Sequence, residues 1–288
     1  MTAFNAEAYK TTTHAQWQDA AKAWNDWGRV LQQWLGPATE TMLDMAGVAH
    51  GSHVLDVAAG AGEQSLAAAE RVGAAGRVLA TDISENILEY AAENARAAGH
   101  EQLDTLVCDG EVLDVPPASF DAAISRVGLI YFPDQQAALG RIRRALKAGG
   151  RFAAMVYSTP DRNGFFSTPV SIIRERAALP PPLPGQPGPF SLGGSGVLAS
   201  VLQTAGFEDI EEHVIEAPLC LPNASDCLRF EKESFGALHQ MLSSLSPEKR
   251  ESVWDEIADA LSAYETKDGF VGPCEMVVVS GRNGKEIQ

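Results

Sequence analysis

Short apolar runs alternate with helical periodicity through the middle of the chain. The runs fall at residues 54–57, 78–82, 105–108, 122–125 and 151–157, and apolar positions at three- and four-residue spacing fill 64–71, 85–98 and 135–147. Near-continuous apolar runs of that length read as strands buried on both faces, so the pattern predicts a parallel sheet covered by helices on either side. Gly73, Gly99 and Gly149-Gly150 stand where helices stop, and Ser84 stands as a cap where one starts.

Outside this region the pattern changes three times. Residues 15–35 have helical period, with Trp17, Trp24, Trp27 and Trp34 confined to about a third of the circumference. Gly28 is a candidate break, Pro37 opens a second short helix over 38–46, and residues 1–50 together form a helical cap. The run 179–189 holds too many prolines and glycines for helix or sheet and predicts an extended loop, either connector or lid, within a Pro-rich loop 159–195. A helix at 197–205 and an alternating strand at 207–215 follow. Two amphipathic helices at 225–242 and 247–264 lie in an insertion spanning 217–271, the second opened by Ser246 and Pro247. A nearly all-apolar strand at 275–280 closes the core, whose parts are 51–216 and 272–288.

The first strand ends in Ala58-Ala59-Gly60-Ala61-Gly62, and Asp82 ends the second. Strand, glycine turn and helix start bring bare backbone close to a ligand, and an acid at the end of the neighbouring strand is within reach of a ribose. The pattern therefore reads as a nucleoside-cofactor site. Taken bare, with Ser65 in the third glycine position, it is a weak match to G-x-G-x-x-G that a nicotinamide cofactor would also satisfy.

Composition narrows the partners. A net charge of -16 and the absence of basic clusters oppose a nucleic-acid partner or an anionic membrane surface. No run approaches the roughly 20 apolar residues that span a bilayer, and the start of the chain has no signal-like pattern, which together predict a cytoplasmic protein with no membrane partner. Cys108, Cys220, Cys227 and Cys274 lack metal-site spacing, so no metal is expected.

Three further features give the glycine turn its context. Asp56 lies inside the first strand, the third strand runs into Cys108-Asp109-Gly110-Glu111, and the fifth is announced by Leu146-Lys147-Ala148-Gly149-Gly150. With these the sequence resembles the class I S-adenosylmethionine-dependent methyltransferases, in particular the branch of the ubiquinone and menaquinone biosynthesis methyltransferases. The resemblance covers residues 54–157. It implies an α/β, Rossmann-like, seven-stranded and mostly parallel sheet with a C-terminal antiparallel strand, carrying the N-terminal helical cap and the helical insertion.

It also implies S-adenosyl-L-methionine as cofactor. The residues it assigns to the cofactor are Asp56, Ala58, Gly60 and Gly62 of the first motif, Asp82 and Ile83, and Asp109, Gly110 and Glu111, while Ser125 and Arg126 face Gly60 across the crevice if strand order reverses between the first and fourth strands. Ile83 and Val112 would sandwich the adenine. Because the sulfonium already activates the methyl group, catalysis is mainly positioning, and a base is needed only for an acceptor that must lose a proton. Candidates for that base are His14, Tyr131, His239 and Glu63. Trp17, Trp24, Tyr131 and Phe165, with Phe166, Phe190 and 230–235, are candidates to line the pocket of a small, partly apolar metabolite or natural-product acceptor. Two alternatives are a nicotinamide-dependent oxidoreductase, against which stands the lack of a recognisable Ser-Tyr-Lys set, and an S-adenosylmethionine-binding protein that does not methylate.

Overall fold

The computed structural model describes residues 4–183 and 185–284, so residues 1–3 of the cap, Pro184 of the Pro-rich loop and residues 285–288 lie outside the described residues. Two helices open the chain, α1 (Ala6–Asp26) and α2 (Gly28–Met45). The alternating region follows as β1 (His53–Val57), α3 (Glu63–Val72), β2 (Arg77–Asp82), α4 (Glu85–Ala98), β3 (Leu103–Val107), β4 (Phe120–Arg126), α5 (Gln135–Ala145) and β5 (Leu146–Tyr157). Then come α6 (Gly164–Arg176), α7 (Val197–Thr204) and β6 (Phe207–Glu216). The insertion holds β7 (Leu219–Leu221), α8 (Ala224–Ser234), α9 (Gly236–Met241), α10 (Pro247–Leu261), β8 (Glu265–Thr266) and β9 (Gly269–Gly272), and β10 (Glu275–Asn283) ends the sheet.

Seven strands form one sheet in the order β3-β2-β1-β4-β5-β10-β6, and a small sheet has the order β7-β9-β8. β1 pairs parallel with both β2 and β4, which makes the β1/β4 boundary the point where strand order reverses. β10 is antiparallel to both β5 and β6, so the expected antiparallel closure is present. The central strands are buried on both faces, whereas β3 and β6 at the edges are largely exposed. Among the described residues no helix is long and apolar enough to cross a membrane.

Three expectations need correction. The first helical run divides at Trp27, with Gly28 opening α2, and Pro37 lies inside α2 rather than at a start. Eight buried residues, among them Leu31, Trp34, Leu35 and Met42, hold α2 together despite the lost ladder bond. The stretch 159–195 is not all loop: Gly164–Arg176 is a helix, because Phe166, Val170 and Ile173 recur at helical spacing across Pro169. The insertion carries a third helix and a sheet besides its two expected helices.

An aromatic cluster joins these parts. Trp34 of α2 lies 5.0 Å from Phe165 of α6 and 6.1 Å from Phe230 of α8, with Tyr157 of β5 stacked at 6.4 Å. Edge-to-face contacts of this kind add to the burial of the rings, so cap, sheet and insertion share one core.

Candidate functional site

The carboxyl ends of β1, β2 and β4 open into a cleft roofed by α1. The turn after β1 is built from left-handed residues, with φ of 61° at Ala58, 58° at Gly60 and 95° at Gly62. A side chain at Gly62 would be strained by φ and would put its Cβ 2.9 Å from that of Ala91, so this glycine lets α3 pack on α4. Ala58 and Gly60 line the cleft and Gly62 does not.

Asp82 is the buried acid of the cleft. Its Oδ2 accepts from the Gly60 N–H and its Oδ1 from the Ser84 N–H, both at 3.0 Å. Burial pushes its pKa up while these N–H groups work against the shift. Asp56, in contrast, does not reach the cleft. It is fully buried behind the turn, where the Ser65 hydroxyl donates at 2.5 Å and Gln64 Nε2 at 3.4 Å, tying the first turn of α3 to β1. Burial pushes its carboxyl up to about 7.

At the other end, Asp109, Gly110 and Glu111 line the cleft, and Lys10 of α1 reaches both acids, at 2.6 Å from Asp109 Oδ2 and 2.5 Å from Glu111 Oε2. Ile83 and Phe132 line this end too, while Val112, expected opposite Ile83, is 60 % exposed outside it. On the β4 side Arg126 Nη2 lies 3.2 Å from Glu63 Oε2, and both side chains are almost buried. Glu63 lines the cleft, and its Oε1 has no hydrogen-bond partner among the described residues. Ser125 is a correction. Its buried Oγ lies behind Gly128, where a Cβ would come within 3.1 Å of it, and not on the cleft wall.

A second chamber of about 730 Å³ lies beyond the cleft, and Thr13, Trp17, Tyr131 and Phe235 belong to the walls of both. The Trp17 ring is 5.5 Å from those of both Trp24 and Tyr131, and Trp24 lines the cleft alone. Burial pushes the Tyr131 hydroxyl well above the ordinary phenol range, so at neutral pH it is a hydrogen-bond donor and not a base.

The remaining candidates separate. His14 is half-buried on α1 and near enough to Asp82 to favour its ionised form, which puts it on the Asp82 side and off both walls. His239 is exposed on α9, its Nε2 2.7 Å from the Lys232 carbonyl and its ring against Trp254, away from both cavities. Phe165 is sealed into the aromatic core, whereas its neighbour Phe166 faces the chamber with Phe190 and Phe235. Adjacent helical residues point about 100° apart, and that turn carries Phe165 into the core while Phe166 meets the chamber. Lys10 and Thr13 precede the helical period that the sequence shows over 15–35, but α1 begins at Ala6 and places them with Trp17 on one helix face at spacings of three and four.

Residues 32–170 match the ubiE/COQ5 methyltransferase family. An uncharacterised Mycobacterium tuberculosis protein is 33 % identical over 171 residues, which cover 59 % of this chain and 58 % of that one. The chain thus spans less than two thirds of the first curated relatives it matches. Nocamycin O-methyltransferase of Saccharothrix syringae is 26 % identical over 85 % of this chain and 90 % of its own. Aklanonic acid methyltransferase DauC of a Streptomyces species is 32 % identical over 43 % of this chain and 57 % of its own. In fold, the chain is similar to phosphoethanolamine N-methyltransferase 2 of Haemonchus contortus, solved with S-adenosyl-L-methionine. The TM-score is 0.54 at 19 % identity, over 86 % of this chain and 53 % of that one. With a glycine turn and a buried acid at the switch point of its sheet, the chain is similar in sequence to the ubiE/COQ5 methyltransferase family over residues 32–170 and to these methyltransferases beyond it.

Proposed function

We propose that this chain transfers the methyl group of S-adenosylmethionine to an oxygen of a small, largely apolar natural-product acceptor. The observation that carries the reading is the meeting of a polar-ended cleft with an apolar chamber at Trp17, Tyr131 and Phe235. The cleft residues suit the donor. Glu63 Oε1, a buried acceptor without a partner among the described residues, would accept from the methionine ammonium, and Arg126 beside it would donate to the carboxylate. Asp82 keeps acceptor capacity on both oxygens for the ribose hydroxyls, and Asp109 and Gly110 line the far end of the cleft, where the adenine edge would lie.

When bound, the donor supplies a sulfonium-activated methyl group. The chain's own part is to hold an acceptor at the junction, exclude water with its aromatic rings, and donate from the Tyr131 hydroxyl. Among the described residues, no histidine or carboxylate belongs to both walls. An acceptor oxygen that is ionised without help, as in a carboxylic acid or an acidic enol, fits such a site, since no base is then needed. The names of two relatives, an O-methyltransferase and a methyltransferase of aklanonic acid, support oxygen and an acid respectively.

The test is methyl transfer from labelled S-adenosylmethionine to a metabolite extract fractionated by acidity, with Asp82→Ala as the control. Label should enter base-labile esters or enol ethers of the acidic fraction. Asp82→Ala should weaken S-adenosylhomocysteine binding by about 1.5–3 kcal/mol per lost hydrogen bond. Stabilisation by NAD and not by S-adenosylhomocysteine would instead favour the oxidoreductase reading, and binding without any labelled product would favour a non-methylating protein.

A further inference from the structure

We propose that Arg174 anchors a carboxylate of the acceptor about two helical turns from the atom that receives the methyl group. The proposal deepens the methyltransferase reading and rests on it, because that reading makes the second chamber the acceptor's.

One stripe of α6 runs along the chamber. Phe166, Val170 and Arg174 all line it, and residues four apart lie on the same face of a helix. The Phe166 ring is 4.5 Å from that of Phe235, which belongs to both cavity walls, so Phe166 marks the junction end. Eight residues further, at 1.5 Å rise each, the stripe has advanced about 12 Å to Arg174. Aromatic, aliphatic and guanidinium groups follow one another along that length.

Arg174 is the one formally charged residue on the chamber wall among the described residues. It donates through Nη2 to the Pro180 carbonyl, which fixes the head group against the start of the Pro-rich segment, and it has no carboxylate partner among the described residues. Its neighbour Arg176 is paired with both Glu175 and Glu256. In a chain with 38 acids against 22 Lys and Arg, cations are outnumbered, and a guanidinium left without an acid beside an apolar chamber is available to one from outside. Arg174 is half-buried, so binding there requires only partial desolvation of the charge. The planar fork matches the two oxygens of a carboxylate better than a point charge would. The acceptor is therefore an apolar body of about 12 Å, the length of a ten-carbon chain or of a few fused rings, with a carboxylate at the end remote from the reacting oxygen.

The experiment uses the full chain saturated with S-adenosylhomocysteine and titrates decanoate and its neutral counterpart decanamide by calorimetry. Wild-type protein should bind decanoate at least about tenfold more tightly, the scale of one charge-assisted hydrogen bond. Arg174→Gln should bring the ratio to about one while leaving decanamide affinity unchanged, and Arg174→Lys should retain part of the preference. A wild-type ratio near one, no decanoate binding at millimolar concentration, or a preference that survives in Arg174→Gln would overturn the proposal. S-adenosylhomocysteine affinity is measured on every protein first. Its absence in the wild type would count against the methyltransferase reading, whereas its presence with no decanoate preference would count against Arg174 alone.

Discussion

Asp56 and Asp82 end up in opposite roles although both sit on central strands beside the same turn. Asp82 leads into the crevice and keeps acceptor capacity there, while Asp56 is spent on Ser65 and Gln64. The pKa of about 7 at Asp56 makes the difference measurable. An unfolded Asp releases its proton near pH 4, so between pH 4 and 7 the native protein holds a proton that the unfolded chain has lost, and stability falls as pH rises through that window. Across the full shift the fall is at most about 4 kcal/mol. Asp56→Asn removes it, and the Ser65 hydroxyl can turn to accept from the new amide. Urea midpoints at several pH values should show the variant gaining on wild type from pH 4 to 7 and levelling above. A constant difference would mean that Asp56 is ionised in the folded protein. The turn itself was legible because left-handed backbone demands glycine locally. The fate of Asp56 was not, because both faces of β1 are covered and alternation alone does not say which face meets a polar helix start. The same limit separated Phe165 from Phe166 and hid the surface position of His239.

At the scale of elements, apolar period identified the central strands and their helices, since each buries a continuous face. It missed α6 because Pro169 and Gly164 punctuate a helix that tertiary burial of Phe165, Phe166 and Ile173 holds. It also missed how α1 meets the loop after β3. Lys10 bridges Asp109 and Glu111, and without it two carboxylates lining one cleft would repel each other. Lys10→Gln should lower S-adenosylhomocysteine affinity a few-fold, in keeping with partly exposed ion pairs worth no more than about 1 kcal/mol. The loss should shrink as salt is raised from 20 to 500 mM, because screening removes from the wild type what the variant already lacks. A salt-independent loss, followed by calorimetry, would show that Lys10 acts by packing its stem and not by its charge.

For the molecule as a whole, stability is unevenly spread around the site. α1 buries two of its 21 residues, whereas α2 buries eight of its 18. Beside the packing of Trp17, Ala21 and Trp24, polar contacts hold α1 down: Lys10 to the β3 loop, Gln18 to Asn86 at 3.0 Å, and Asn25 to Asn94 at 3.0 Å. Such contacts are individually weak, so α1 should open at a lower free energy than the sheet, which requires global unfolding. Lys10, Thr13, Trp17 and Trp24 of α1 form part of the cleft wall, and an opening of α1 therefore strips the roof from any bound cofactor. Openings that release a ligand are suppressed by its mass action, about 2.7 kcal/mol at a hundred times Kd, or roughly a hundredfold in exchange rate. Hydrogen exchange with and without S-adenosylhomocysteine should then show α1 amides slowing by that factor. α7 and the edge strand β6, which take no part in the cleft wall, should keep the rates of their local openings. If α1 exchanges equally fast in both samples, it opens without disturbing the ligand, and its face over the cleft is not what retains the cofactor.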